Sequence, residues 1–191
     1  MIRIISGSLR GRRLSTPPGH HTRPTSDRVR TALFNILGPW IHGRRVLDLF
    51  AGAGSVGIEC LSRGAAHVTF VENNPLARAS LSRNLVLLHL QPHALIIPTD
   101  VMSAIPTLRG HSFDLIFADP PYRHPDLLPL LAALRDAHLA SPDTVCVIEH
   151  ASPSPFRPHS LYEGWRCYRS SHYGKTCLAF FDLPTNIPSS P

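Results

Sequence analysis

Two groups of residues in this chain have the types and spacing to do chemistry. The first lies in "VLDLFAGAGSVGIE", where an apolar run carries Asp48 and Phe50 and gives way to Gly52 and Gly54. Glu72 closes the next apolar run, 20 residues after Gly52. Glycines behind a strand let the backbone approach a ligand and aim amide N–H groups at it. A carboxylate at the end of the following strand can accept hydrogen bonds from both ribose hydroxyls. Together they indicate a cofactor containing a nucleoside. Gly57 stands three residues after Gly54, so spacing alone leaves a dinucleotide open. Asp48, expected at the mouth of the loop, would repel a pyrophosphate and suit a ligand carrying an ammonium group. No hydride-transfer residues follow.

The second group is "FDLIFADPPY" (113–122), an apolar strand that runs into Asp119, Pro120, Pro121 and Tyr122. Two consecutive prolines fix the backbone twice beside a charge and an aromatic ring.

The elements that must position these residues follow a strand–helix rhythm from Arg45 onward. "RVLDLF", "HVTFVE", "ALIIPTD", "FDLIFAD" and "TVCVIEH" read as strands, with helices between them. Continuous apolar strands alternating with helices predict a parallel sheet covered on both faces, a doubly wound α/β fold. "SPSPFRPHS" interrupts the rhythm, and "WRCYRSSHYG" with "KTCLAFFDL" predicts a closing antiparallel pair, giving seven strands. Ahead of this core, "IRIIS" and "GRRLS" predict a hairpin. A helix capped by Thr25 or Ser26 follows, with Val29, Ala32, Leu33, Ile36 and Leu37 on its apolar face. The expected division is a basic hairpin and loop at 1–25, a catalytic unit at 26–183 and a frayed tail at 184–191.

Charge is segregated. The chain carries a net +6, and residues 1–45 hold nine arginines against one acid, Asp27. Such clustering predicts a nucleic-acid partner. The N-terminus lacks the pattern of a secretory signal, so a cytoplasmic location is expected. No apolar run has the length of a membrane span. The four cysteines show no C-x-x-C pair and read as buried free thiols. His89 and His93 are separated by Pro92, which disfavours a helical metal pair, and no metal is expected.

With these residues in view, "LDLFAGAG", "VENN" and "DPPY" resemble the successive motifs of S-adenosylmethionine-dependent methyltransferases that act on exocyclic amines of bases. "RIISGSLRGRRLSTPPG" and "TRPTSDRVRTALFNIL" narrow the resemblance to the RsmD family, which modifies N2 of a guanine in 16S ribosomal RNA. The likeness runs from about Ile2 through Tyr122, and "VIEH" and "HYGKT" extend it to about Phe181. It implies a Rossmann-like methyltransferase fold. In it Asp48, Phe50, Gly52, Gly54, Glu72 and Asn73 would hold S-adenosylmethionine, and Asp100 would lie near the adenine. Asp119 and the Pro120 carbonyl would accept from the target amine, with Pro121 stiffening the turn and Tyr122 offering a stacking face. Arg23 and Thr25 would touch the cofactor or order their loop. Thr31 and Lys175 depart mildly from the family pattern, away from the proposed chemistry.

Arg10, Arg12, Arg13, Arg28 and Arg30 are expected to neutralise RNA phosphates. The expected partner is 16S ribosomal RNA within a small-subunit assembly particle, bound by a monomer. A DNA adenine-N6 or cytosine-N4 methyltransferase is the enzymatic alternative, although the chain leaves little room for a segment that reads base edges. A non-catalytic RNA-binding assembly factor is the other.

Overall fold

The computed structural model of the protein describes residues 2–17, 26–121 and 127–184. Strands β1 (Ile2–Arg3) and β2 (Arg13–Leu14) pair antiparallel as the N-terminal hairpin. Helix α1 (Asp27–Leu37) starts at Ser26, whose Oγ accepts from the Val29 N–H, and stops at Gly38 (φ 57°). There follow β3 (Arg45–Leu49), α2 (Ser55–Ser62), β4 (His67–Val71), α3 (Pro75–Leu87) and β5 (Ala94–Ile97). The chain continues through α4 (Val101–Thr107), β6 (Phe113–Ala118), α5 (Leu128–Asp136) and β7 (Ala140–Ala151). It closes with β8 (Ser160–Tyr162), β9 (Trp165–Tyr173) and β10 (Thr176–Asp182).

The main sheet has the order β5-β4-β3-β6-β7-β10-β9-β8. Its first five strands are parallel and its last three antiparallel. The chain starts at β3, builds outward to β5, then returns to the other side of β3 with β6. That reversal opens a crevice at the carboxyl ends of β3 and β6, where open α/β sheets bind ligands.

Eight strands form where seven were expected. The extra one, β8, pairs with β9 through a two-residue turn at Glu163 (φ 52°) and Gly164 (φ 85°). Positive φ at both central positions is the type I′ geometry that matches strand twist. Glu-Gly is a weaker hairpin signal than Asn-Gly or Asp-Gly, and the preceding prolines obscured it.

Each face of the sheet has its own core. Val46, Val68, Phe70, Leu115 and Phe117 pack against α1, α2 and α3. On the opposite face Leu47, Leu49, Ile116 and Ile148 pack against α4, α5 and Trp165, whose Nε1 donates to the Leu131 carbonyl at 2.9 Å. Cys60, Cys146, Cys167 and Cys177 are free and buried.

The N-terminal hairpin is part of the first core rather than an appendage. Ile2, Ile4 and Leu14 bury into the same cluster as Leu33, Phe34 and Val56. All eight residues of α2 are buried, including a fully buried Glu59. Its carboxylate accepts from the Ile5 and Ser6 N–H groups at 2.7 and 3.0 Å and from Arg63 Nε at 2.8 Å. Ser62 Oγ accepts from Leu9 N–H at 3.0 Å and donates to the Ser6 carbonyl at 2.6 Å. A Cβ on Gly7 would lie 1.8 Å from the Ser62 carbonyl oxygen, so only glycine permits this approach.

Candidate active site

The register of the parallel strands assembles the site. Leu49 is opposite Val71 on one side and Ala118 on the other, and Ala118 is opposite Ile148. The residues that follow are Glu72, Phe50 and Asp119, each just past the end of its strand, and Glu149, still within β7. These four therefore form one row along the carboxyl edge of the sheet. Asp48 lies deeper, in the register row of Phe70 and Phe117, whereas Phe50, past the end of β3, packs against the core of the opposite face. Residues far apart in sequence are brought to one edge because β3, β4 and β6 end level.

Asp48 lies beneath the glycine loop, not at its mouth. It is only 2% exposed, and Oδ2 accepts from the Gly57 N–H at 2.9 Å, fixing the start of α2. Its pKa is raised to about 7 in all, chiefly by burial, against the lowering effect of the Gly57 hydrogen bond. The charges of Asp119 and then Glu72 are smaller contributions to that rise. Those influences place all three carboxylates in one electrostatic environment.

The loop from Phe50 to Gly54 uses unusual backbone throughout. Phe50 (φ 60°), Gly52 (φ 58°) and Gly54 (φ 83°) all lie in left-handed conformations. The glycines serve different ends. A Cβ at Gly52 would meet nothing within 4 Å, so the backbone there borders open space. A Cβ at Gly57 would strike the Phe70 ring at 2.3 Å, so that glycine permits helix–strand packing and is no evidence for a pyrophosphate. Ala51 N–H donates to the Val71 carbonyl at 3.0 Å, binding the loop to β4.

Glu72 is half-buried and joins two loops. Oε2 accepts from the Gly52 N–H at 2.7 Å and Oε1 from the Asn74 N–H at 2.8 Å. Each oxygen has a further lone pair for a ligand hydroxyl. Asn73 is exposed, and its carbonyl accepts from Arg78 Nη1 at 2.6 Å. Asp100 is exposed and caps α4, accepting from the Ser103 N–H at 3.0 Å. The hydrogen bonds from Ser103 hold its carboxyl below the usual range.

Asp119 follows β6 directly, half-buried, with its N–H on the Leu49 carbonyl at 3.4 Å. Pro120 is buried and Pro121 exposed. Tyr122, Arg23 and Thr25 lie outside the described residues, as do residues 185–191 of the expected tail.

Among the arginines expected on RNA, Arg10, Arg12, Arg13 and Arg28 are exposed. Arg30 is not. Its side chain is fully buried, with Nη1 on the Ser55 carbonyl at 3.3 Å. Its Nη2 donates to the Arg3 carbonyl and to Asp27 Oδ1, both at 2.7 Å. A guanidinium enclosed this way cannot reach a phosphate, so the reading of Arg30 as a residue on RNA is corrected. Its position off the apolar stripe of α1 suggested solvent, but the hairpin covers that side.

Glu59, Ser62 and Asn84 also escaped the sequence reading. Their partners in the N-terminal segment stand 53 to 69 residues away, beyond any local pattern.

The profile of the family described as conserved hypothetical protein 95 matches residues 2–182. The chain is 37% identical over 148 residues to the ribosomal RNA small subunit methyltransferase D of Escherichia coli K12, covering 78% of this chain and 74% of that protein. It is 41% identical over 151 residues to a Bacillus subtilis protein assigned as an rRNA methyltransferase, covering 78% and 82%. A solved Escherichia coli structure assigned as a methyltransferase superposes with a TM-score of 0.84 at 32% identity, covering 97% of this chain and 99% of that one. With nearly its whole length matched, the chain belongs to the conserved hypothetical protein 95 family, the RsmD family.

Proposed function

We propose that this chain transfers a methyl group from S-adenosylmethionine to the exocyclic N2 amine of a guanine in 16S ribosomal RNA. The observation that carries the reading is the row of Glu72, Phe50 and Asp119 at the switch of the sheet, with the glycine loop beside it. The relatives' names, which give methylation of ribosomal RNA in those proteins, support the reading.

The residues present fit the cofactor. Open space borders Gly52, and Glu72 keeps acceptor capacity on both oxygens for vicinal hydroxyls. When bound, S-adenosylmethionine supplies an electrophilic methyl group on a sulfonium. Glu72, Gly52 and Gly54 hold it, and Asp48 fixes the helix start behind it.

Asp119 and the Pro120 carbonyl accept from the two N–H groups of the guanine amine. A ring amine is a poor nucleophile because its lone pair is delocalised. Two acceptors orient it and help localise that pair, and the prolines lower the cost of holding the carbonyl in place. Tyr122 offers a face for the extruded base, worth roughly 1–3 kcal/mol against a flipping cost of a few kcal/mol. Arg10, Arg12, Arg13 and Arg28 grip phosphates without reading bases.

The decisive experiment is nucleoside mass spectrometry of ribosomal RNA and genomic DNA from a strain lacking the gene, complemented with wild-type or Asp119→Ala protein. N2-methylguanosine in 16S RNA should disappear on deletion and return only with the wild type. A methylated adenine or cytosine lost from DNA instead would replace this reading with the DNA-directed one.

A further inference from the structure

Two buried side chains join the N-terminal segment to the region of the glycine loop, Asn84 at the loop itself and Arg30 at the first residue of α2. Asn84, on α3 and 1% exposed, accepts from the Ser15 N–H at 2.7 Å and donates to the Ser15 carbonyl at 3.0 Å. The same Nδ2 donates to the Ala53 carbonyl at 3.0 Å. Ala53 lies between Gly52 and Gly54, and Ser15 directly follows β2 with its exposed Arg13. Arg30 makes the parallel connection, from the Arg3 carbonyl of β1 to the Ser55 carbonyl at the start of α2.

Resting on the function proposed above, we infer that Asn84, supported by Arg30, is a positioning residue that couples RNA binding on the hairpin to cofactor binding at the glycine loop. The loop runs through three left-handed residues, and Asn84 holds the carbonyl at its centre. Any displacement of the hairpin at Ser15 is felt at Ala53 through one amide group. RNA that fixes Arg12 and Arg13 therefore fixes Ser15, and through Asn84 the loop that receives the cofactor. Linkage makes the effect reciprocal: cofactor tightens RNA by the factor that RNA tightens cofactor.

The test is a binding cycle with S-adenosylhomocysteine, which permits no turnover. Its affinity is measured by calorimetry alone and with saturating 16S RNA or unmethylated small subunits, whichever the wild type binds. The wild type should gain about fivefold or more in affinity when RNA is present, the usual lower range of coupling between sites. Asn84→Ala should bind both ligands with that gain reduced to within about twofold. Asn84→Asp, which keeps the acceptor for Ser15 N–H but loses both donations, serves if the alanine variant does not fold. Ser62→Ala is the control. It loosens the hairpin on α2 without touching the loop, so it should lower the melting temperature and retain the full gain. No gain in the wild type, or a full gain in both Asn84 variants, overturns the coupling while leaving the methyltransferase reading intact. Failure of the wild type to bind either ligand overturns that reading itself.

Discussion

Glu72 and Gly52, 20 residues apart, share a hydrogen bond of 2.7 Å that ties the end of β4 to the turn after β3. Glu72 thus shapes the loop with the same carboxylate that is proposed to hold the ribose. Glu72→Gln keeps the size but offers one acceptor oxygen where two N–H groups need one each. It should weaken S-adenosylmethionine binding by about 1–3 kcal/mol, the usual cost of losing charge-assisted hydrogen bonds. Calorimetry checks this, and unchanged affinity would put the ribose elsewhere.

Asp119→Ala separates binding from chemistry. Transfer of labelled methyl to 16S RNA should fall to background while cofactor affinity stays within a few-fold, since in the proposed function Asp119 contacts the amine and not the cofactor. Retained turnover would make the Asp-Pro-Pro turn a structural feature only.

Asp48 gives the protein a pH signature. Its pKa is raised from 3.8 to about 7, so between those values the folded state holds a proton that the unfolded state has released. Asp48 therefore favours folding at low pH, and its contribution declines as pH rises from about 4 to 7. Asn accepts from Gly57 N–H without the charge. Asp48→Asn should thus gain stability relative to wild type as pH rises from 5 to 8. Melting curves at those pH values, without ligand, measure the difference. A constant offset would mean Asp48 stays ionised throughout.

The arginines divide into two behaviours. Replacing Arg10, Arg12 and Arg13 together should weaken RNA binding and flatten its salt dependence, by roughly 0.7–0.9 in the slope of log K for each phosphate no longer neutralised. The methylated nucleotide should stay the same. Normal RNA affinity at physiological salt would reduce these residues to a solvated face. Arg30→Ala should instead destabilise the fold, by about 1.5–3 kcal/mol for each charged hydrogen bond removed, read in denaturant unfolding.

Gly57→Ala tests the close approach of α2 to β4. The new methyl group would press on the Phe70 ring, at a cost of about 1–3 kcal/mol typical of overpacking. A melting temperature equal to wild type would show that the ring can yield.

Much of this protein is written in local patterns. The apolar strands of the parallel sheet, the cap at Ser26, the glycine turn and the Asp-Pro-Pro segment are all set by neighbouring residues, and the strand–helix alternation formed where its pattern placed it, with β8 the strand it did not show. The order of strands and helices also dictated a sheet whose chemistry sits at the carboxyl edge.

Tertiary structure decided what those local patterns could not carry. Only strand register aligns Glu72, Phe50 and Asp119 in one row. Only docking of the hairpin buries Arg30 and Glu59, turning two charged residues with helical neighbours into internal ties. Asp48 looked like a residue at the mouth of a pocket until the Gly57 N–H drew it under the loop. In each case a polar group leaves water for partners that the folded chain brings to it. Nothing in a local window specifies such an environment, because the desolvation and the hydrogen bonds that offset it exist only once the chain has closed on itself.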